Sequence, residues 1–360
     1  MVIPSKHSRS ECYQNALSRK LGIVRTSLSP SKLPQIVKEK SMDRRTFIAT
    51  TAAVSFLPGM VKAQGKPIRL IVPFPPAGAT DITGRIIGEA VGRVLQTTVV
   101  VENRAGAGGS IGMAEVARAA ADGSTFGVAT LSTHGVNPAV YKTLPYDPIK
   151  DFAPVTEIVR APGVLVVNPS VPVQTLEQFI AYLKANPGKV TYATPGNGTI
   201  SHMWAELFKS TTGTDMVHIP YRGAGPAIND LLGGQVLAYF DQVAASLPHI
   251  KAGKLRALAV SWDSRLDVLP DVPTYGERGM QSNNDPSWFG LVAPAGTPAA
   301  AVNRMQQAVA TALKEAPVRE RLAGLGLYAS GTTPAEFTKQ IHDEMAKMQK
   351  ISQFAKIQLD

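Results

Sequence analysis

The chain has 360 residues, 44% of them hydrophobic and 18% charged, a globular composition long enough for two α/β domains with separate cores. Its net charge of +10 is concentrated at one end: residues 1–63 hold 11 Lys/Arg against 3 Asp/Glu, and the other 297 residues hold 26 against 24. No basic stripe with interleaved aromatics follows, which excludes a nucleic-acid partner. The single cysteine, Cys12, lies in the same basic segment, so the body excludes disulfides, thiolate catalysis and cysteine-held metals, and suits an oxidising compartment.

Residues 1–41 are polar and basic, without periodicity, and read as a non-native or disordered extension ahead of the true start at Met42. Residues 42–63 read as an export signal. Arg44-Arg45-Thr46-Phe47 resembles the twin-arginine pattern, with the general secretory route as its rival. Ile48 to Val61 is apolar but short of the ~20 residues of a membrane span. Val61-Lys62-Ala63 supplies a small-x-small cleavage site ahead of Gln64.

The body opens with an apolar run, Ile68 to Val72, which ends in Pro73-Phe74-Pro75-Pro76-Ala77-Gly78-Ala79-Thr80-Asp81. Ile82, Ile86, Ile87, Ala90, Val91, Val94 and Leu95 then fall on one helical face, with Arg85, Glu89 and Arg93 opposite. Strand, loop and helix start follow in order. The loop carries no nucleophile–base pair and no metal-ligand cluster. It offers main-chain N–H groups, a hydroxyl and a helix dipole, which suit an anion such as a carboxylate; an ordinary strand–helix connection reads equally well.

Two further units follow. Thr97 to Glu102 reads as a strand, with a helix through Met113, Val116, Ala117 and Ala120 stopped at Asp122-Gly123. Ser124 to Thr130 is a strand leading into a polar loop, Leu131 to Gly135. Three such units predict a parallel sheet with ligand loops beyond its carboxyl ends. Val155 to Val159 and Val164 to Val167 read as strands leaving a first domain for a second. Thr175 and Gln178 form a capping box for a helix on Leu176, Phe179, Ile180 and Leu183. Val190 to Ala193 leads through Thr194-Pro195-Gly196-Asn197-Gly198-Thr199 into a helix on Met203, Leu207 and Phe208, repeating the opening logic.

Val217 to Pro220, Val236 to Phe240 and Leu255 to Ser261 complete the second set of strands, with a helix around Pro226 between the first two. Trp288 to Ala293 reads as the strand crossing back. Helices after Thr297-Pro298 and after the capping box Thr333-Pro334-Ala335-Glu336 end the chain. The expected division is residues 64–165 plus 288–360 as domain 1 and 166–287 as domain 2, with a hinged cleft between them.

Gly108-Gly109-Ser110-Ile111-Gly112 satisfies the nucleophile-elbow pattern and raises an α/β serine hydrolase using Ser110. The pattern needs a strand ending just before it, and Asn103 to Ala107 intervene. Ile111 replaces the third glycine of a dinucleotide fingerprint, and no G-K-[ST] phosphate loop occurs, so no cofactor is expected. The six histidines include no H-x-x-H or H-E-x-x-H pair, so no metal is expected. His202 either donates to a carboxylate or makes a cap or interdomain contact. Asp81 caps its helix or touches ligand. Asp241 orients a loop or binds an ammonium group. Arg222 pairs with an acid or lies on a solvated rim, and Trp288 is hinge packing or an aromatic shelf.

The set of segments resembles one family. Ile71 to Asp81, Val101 to Gly109, Leu144-Pro145-Tyr146-Asp147, Pro220-Tyr221-Arg222-Gly223, Leu232 to Val236, Pro270 to Thr274, and Trp288-Phe289-Gly290 with Ala293 to Pro298 together look like a Bug-type (TctC-type) receptor. Such receptors are the extracytoplasmic solute-binding proteins of tripartite tricarboxylate transporters. The resemblance implies a two-domain α/β Venus-flytrap (type II periplasmic-binding-protein) fold and a non-enzymatic receptor in the periplasm. Its partners would be a small carboxylate ligand and a membrane permease, or alternatively a two-component sensor kinase. It places Phe74, Ala77, Gly78, Thr80 and Asp81 on one lip of the ligand site, and Gly196, Gly198, Thr199, Ser201 and His202 on the other. Ser132, Thr133 and His134 would form a third contact, and Asp241, at its strand end, is the remaining candidate ligand residue. Pro75, Pro76 and Ala79 depart from the small residues common at those positions, which removes N–H donors and bears on ligand preference.

Overall fold

The computed structural model describes residues 66–359; the expected extension and export signal lie outside them. The apolar run forms β1 (Ile68–Val72), and the 3.6-residue pattern after it forms α1 (Ala79–Leu95). Ile86, Ile87, Ala90 and Val91 are buried while Arg85, Glu89 and Arg93 are exposed, as the periodicity requires. Then come β2 (Val99–Asn103), α2 (Ser110–Ala117), β3 (Thr125–Thr130), α3 (Asn137–Val140) and β4 (Phe152–Ala161). Pro162 alone separates β4 from β5 (Gly163–Val167), and with β5 the chain enters a second sheet.

That sheet grows through α4 (Leu176–Ala185), β6 (Thr191–Thr194), α5 (Ile200–Thr212), β7 (Val217–Pro220) and α6 (Ala224–Leu232). It closes with β8 (Ala238–Gln242), α7 (Val243–Lys251) and β9 (Arg256–Ser261). The chain returns in β10 (Ser287–Pro294) and ends with α8 (Ala299–Ala312), α9 (Ala316–Ala323), β11 (Tyr328–Ala329) and α10 (Pro334–Phe354).

The first sheet runs β11-β4-β10-β3-β1-β2 and the second β7-β6-β8-β5-β9. Both are mixed, which corrects the expectation of a parallel sheet. β1 is parallel to β2 and β3, but β10 returns between β3 and β4 and runs antiparallel to both. In the second sheet β6 is parallel to β7 and β8, and β5, arriving from the first sheet, is antiparallel to β8 and β9. A returning strand must run against the strands it joins when it enters from the opposite end. The parallel halves keep their carboxyl ends together, and there the β1–α1 and β6–α5 loops meet.

Local details depart from the sequence reading in four places. α2 stops at Ala117, so Ala120 is exposed beyond the helix. Leu131 to Gly135 is no loop: residues 132–136 make one wide helical turn running into α3, wound by Thr133, whose hydroxyl accepts the Thr130 N–H at 3.0 Å. Thr175 accepts the Gln178 N–H, but the Gln178 side chain accepts from Gln174, so that capping box is half formed. α7, with Pro248 inside it, escaped the periodicity altogether. The box at Thr333 and Glu336 is complete in both directions. Trp288 is buried, edge-on to Phe337 at 5.3 Å, which is packing and not a ligand shelf.

Candidate functional site

The site is built on the ends of helices. Gly78 is the N-cap of α1, and Asp81 fixes the turn that precedes it. The Asp81 carboxylate accepts the Ala77 N–H at 3.0 Å, the Asn103 amide at 2.8 Å and the Arg85 guanidinium at 3.0 Å. Asn103 also donates to the Phe74 carbonyl at 2.9 Å, tying the whole β1–α1 loop to β2. Burial opposes ionisation of Asp81, but the hydrogen bonds from Arg85, Asn103 and Ala77 prevail and hold its carboxyl below the usual range. All its capacity goes to positioning. Ala77 sits at a positive φ of 71° with its N–H committed to Asp81, and it lines neither the nook nor the chamber described below.

Opposite lies the β6–α5 loop. Thr199 caps α5 and donates from its hydroxyl to the Gly196 carbonyl at 2.7 Å. Helix geometry leaves the first amides of α1 and α5 without acceptors inside their own helices. The β6–α5 lip touches the opposite lobe: the Ile200 N–H donates to Ser132 Oγ at 3.0 Å, and the Tyr141 hydroxyl donates to the Asn197 carbonyl at 3.0 Å.

Between them is a nook of about 20 Å³, room for a water or two. Its walls are the first turns of four helices: Gly78, Ala79 and Thr80 of α1, Thr199 to Ser201 of α5, Ala224 of α6 and the α7 cap Gln242. Ser132, Thr130 and Phe289 complete it. Among the described residues no Lys, Arg or His side chain lines it. Converging helix N-termini present partial positive charge and aligned N–H groups, so the nook favours an anion without a cation to pair with it. Outside, across Phe74, Pro75 and Pro195, opens a chamber of about 730 Å³ bounded by the glycine-rich segment 106–109, Ile111, Tyr141 and Arg222.

Of the expected residues, Phe74, Gly78, Thr80, Ser132, Thr199 and Ser201 line the nook, and Gly196 lines the chamber. Gly198 lies beside them, facing Tyr141 across the cleft. The others are not brought in. Thr133 and His134 point into the first lobe, where His134 packs on Phe152 at 5.0 Å and burial drives its pKa down to about 3. His202 stacks on His218 at 4.3 Å, and burial lowers its pKa too. Asp241 is fully buried, accepts the Ser246 hydroxyl at 2.6 Å at the start of α7, and is pushed up to about 6 by burial. It immediately precedes Gln242 in the chain and is not on the nook's wall.

Ser110 Oγ accepts from the Asn137 amide at 3.1 Å, and among the described residues no histidine is hydrogen-bonded to it as a base would be. Sequence reasoning missed Thr130, Ala224, Gln242 and Phe289, which reach the nook only through the sheet order. The signal for Ala224 was the Tyr221-Arg222-Gly223 turn opening a helix, the same logic as the two lips.

Comparison with known proteins places the chain. The family model described as the tripartite tricarboxylate transporter family receptor matches residues 83–357. Protein BugT of Bordetella pertussis is 38% identical over 302 residues, covering 84% of this chain and 92% of that one. A solved structure described as a periplasmic transporter superposes with a TM-score of 0.81 at 46% identity, covering 83% of this chain and all of that one. The structure of R. palustris Rpa4515 with adipate gives a TM-score of 0.79 at 34% identity, covering 81% and 98%. The two-lobed α/β architecture is thus that of periplasmic binding proteins, and the chain belongs to the TctC (Bug-type) family of tripartite tricarboxylate transporter receptors.

Proposed function

We propose that the protein is a periplasmic receptor that takes up a small organic acid in the cleft between its lobes and passes it to a membrane permease of the tripartite tricarboxylate type. The observation that carries this reading is the convergence of four helix N-termini on one nook without a basic side chain. Such a nook stabilises a carboxylate through peptide dipoles and hydrogen bonds, and releases it without breaking a buried ion pair. The adipate in the R. palustris structure is a ligand of the same chemical kind. Ser110, held by Asn137 and hydrogen-bonded to no histidine among the described residues, favours binding over turnover.

The lobes are joined by two crossings and meet through hydrogen bonds at the rim and the stack of Trp262 on Tyr328 at 4.4 Å, an arrangement suited to opening and closing about a hinge. The test is calorimetric titration of the mature protein with a panel of mono-, di- and tricarboxylates, with mass spectrometry of the recovered ligand. Stoichiometric binding with the acid returned unchanged supports the receptor. A chemically altered acid, lost in Ser110→Ala, supports the hydrolase instead. Uptake by vesicles carrying the permease then tests delivery, and a lack of stimulation by the loaded receptor refutes that half of the proposal.

A further inference from the structure

The outer chamber has a chemistry of its own. It is far larger than the nook, shares Phe74, Pro75 and Pro195 with it, and among the described residues has no carboxylate on its wall. Its wall carries the apolar side chains of Phe74, Pro75, Ile111, Pro195 and Pro220. Ile111, one of only four large hydrophobic side chains exposed among the described residues, is 54% exposed and faces this space. After the β7 strand, on the chamber wall, stands Arg222, exposed and, among the described residues, paired with no carboxylate. The other guanidiniums of this region are engaged: Arg85 holds Asp81, and Arg104 holds Glu102 and Glu115. An exposed isoleucine and a cation without a counter-ion on the wall of one chamber, next to a nook suited to an anion, make an incomplete environment. A ligand with an apolar middle and a second negative end completes it.

Resting on the carboxylate-receptor reading above, we propose that Arg222 and Ile111 form a distal subsite that selects elongated diacids, aliphatic or aromatic: one carboxylate sits among the helix N-termini, the carbon skeleton lies against Ile111, and the far carboxylate pairs with Arg222. A monocarboxylate places its one carboxylate in the nook and leaves the far end of the chamber to water. Pairing at a half-enclosed rim is charge-assisted and geometrically demanding, so it discriminates between ligands of equal length that differ only in the far charge. The division of labour is chemical: the neutral dipoles inside accept any carboxylate, and the single guanidinium outside measures length and the second charge.

The experiment pairs each diacid with its own monomethyl ester: adipate, suberate and terephthalate against monomethyl adipate, suberate and terephthalate, by calorimetry on wild type, Arg222→Gln and Ile111→Ser. Both substitutions lie at exposed positions, away from the core. Wild type is expected to bind at least one diacid about tenfold tighter than its ester, and Arg222→Gln to shrink that gap below about threefold while leaving the ester within about twofold. Ile111→Ser should weaken diacid and ester together for the longer skeletons. Equal binding of acid and ester by wild type, or a gap that survives in Arg222→Gln, overturns the distal subsite while leaving the carboxylate receptor standing. Failure of every acid and ester to bind removes the receptor reading and this one with it.

Discussion

Gly198→Ala should act on closure more than on folding. Gly198 sits at a φ of 69°, where an alanine costs about 1 kcal/mol, whatever the lobes are doing. The added methyl would lie 2.4 Å from Cε2 of Tyr141 and 3.0 Å from its Cζ and hydroxyl, well inside the ~3.5–4.0 Å optimum for carbon contacts. Tyr141 belongs to the other lobe and is tethered by its hydroxyl to the Asn197 carbonyl at 3.0 Å, so its ring has little room to retreat. This overpacking term, about 1–3 kcal/mol, falls on the closed state alone. Ligand affinity should therefore drop by roughly 5- to 150-fold, since ~1.4 kcal/mol is a factor of ten. The ligand-free protein should lose only roughly 2–4 °C in melting temperature for the backbone term. Calorimetry with adipate measures the first effect and a thermal melt the second. In a Tyr141→Ala background the ring is gone, and adding Gly198→Ala should cost almost no further affinity. If Gly198→Ala binds adipate within about twofold of wild type, or if its loss is unchanged in the Tyr141→Ala background, the cross-cleft contact is not what closes the site.

Two further outcomes are expected. Ser132→Ala removes the acceptor of the Ile200 N–H and should weaken acid binding by ~0.5–1.5 kcal/mol, with the ligand-free melt nearly unchanged; a lower melt with intact affinity would make Ser132 a folding residue instead. Stability should fall as the solution is acidified from neutrality. Burial holds His134 at about 3, so the unfolded chain takes up its proton first, near the ordinary ~6.5; the stability is complete above that value and drains away toward pH 3, losing ~2 kcal/mol by pH 5. His218, pushed down to about 3 by burial, acts in the same direction. Asp241, raised to about 6, acts oppositely and returns ~1 kcal/mol over the same interval. Melting curves between pH 7 and 5 should show a net loss that is shallower in His134→Gln; an unchanged slope in that variant would exonerate the buried histidine.

What could be read in the sequence was whatever the backbone settles within a few residues. The apolar run Ile68 to Val72, the helical stripe of α1, the Thr333 capping box and the Gly/Thr/Ser loops at Gly78 and Thr199 all carry their own local physics, so their positions were legible. The family resemblance extended that reading to a two-lobed receptor. The fates of polar residues were not legible in this way. His134, His202 and Asp241 sit next to ligand loops in the chain, yet they turn into cores or behind helices, because side-chain direction depends on which neighbours the fold supplies: Phe152, His218 and Ser246.

The direction of β10 likewise depends on where the returning chain finds an open slot. Only tertiary structure decided that the starts of α1, α5, α6 and α7 share one nook, since they lie up to about 160 residues apart and meet through sheet order alone. Each helix tip is a weak anion site; assembled, they need no cation.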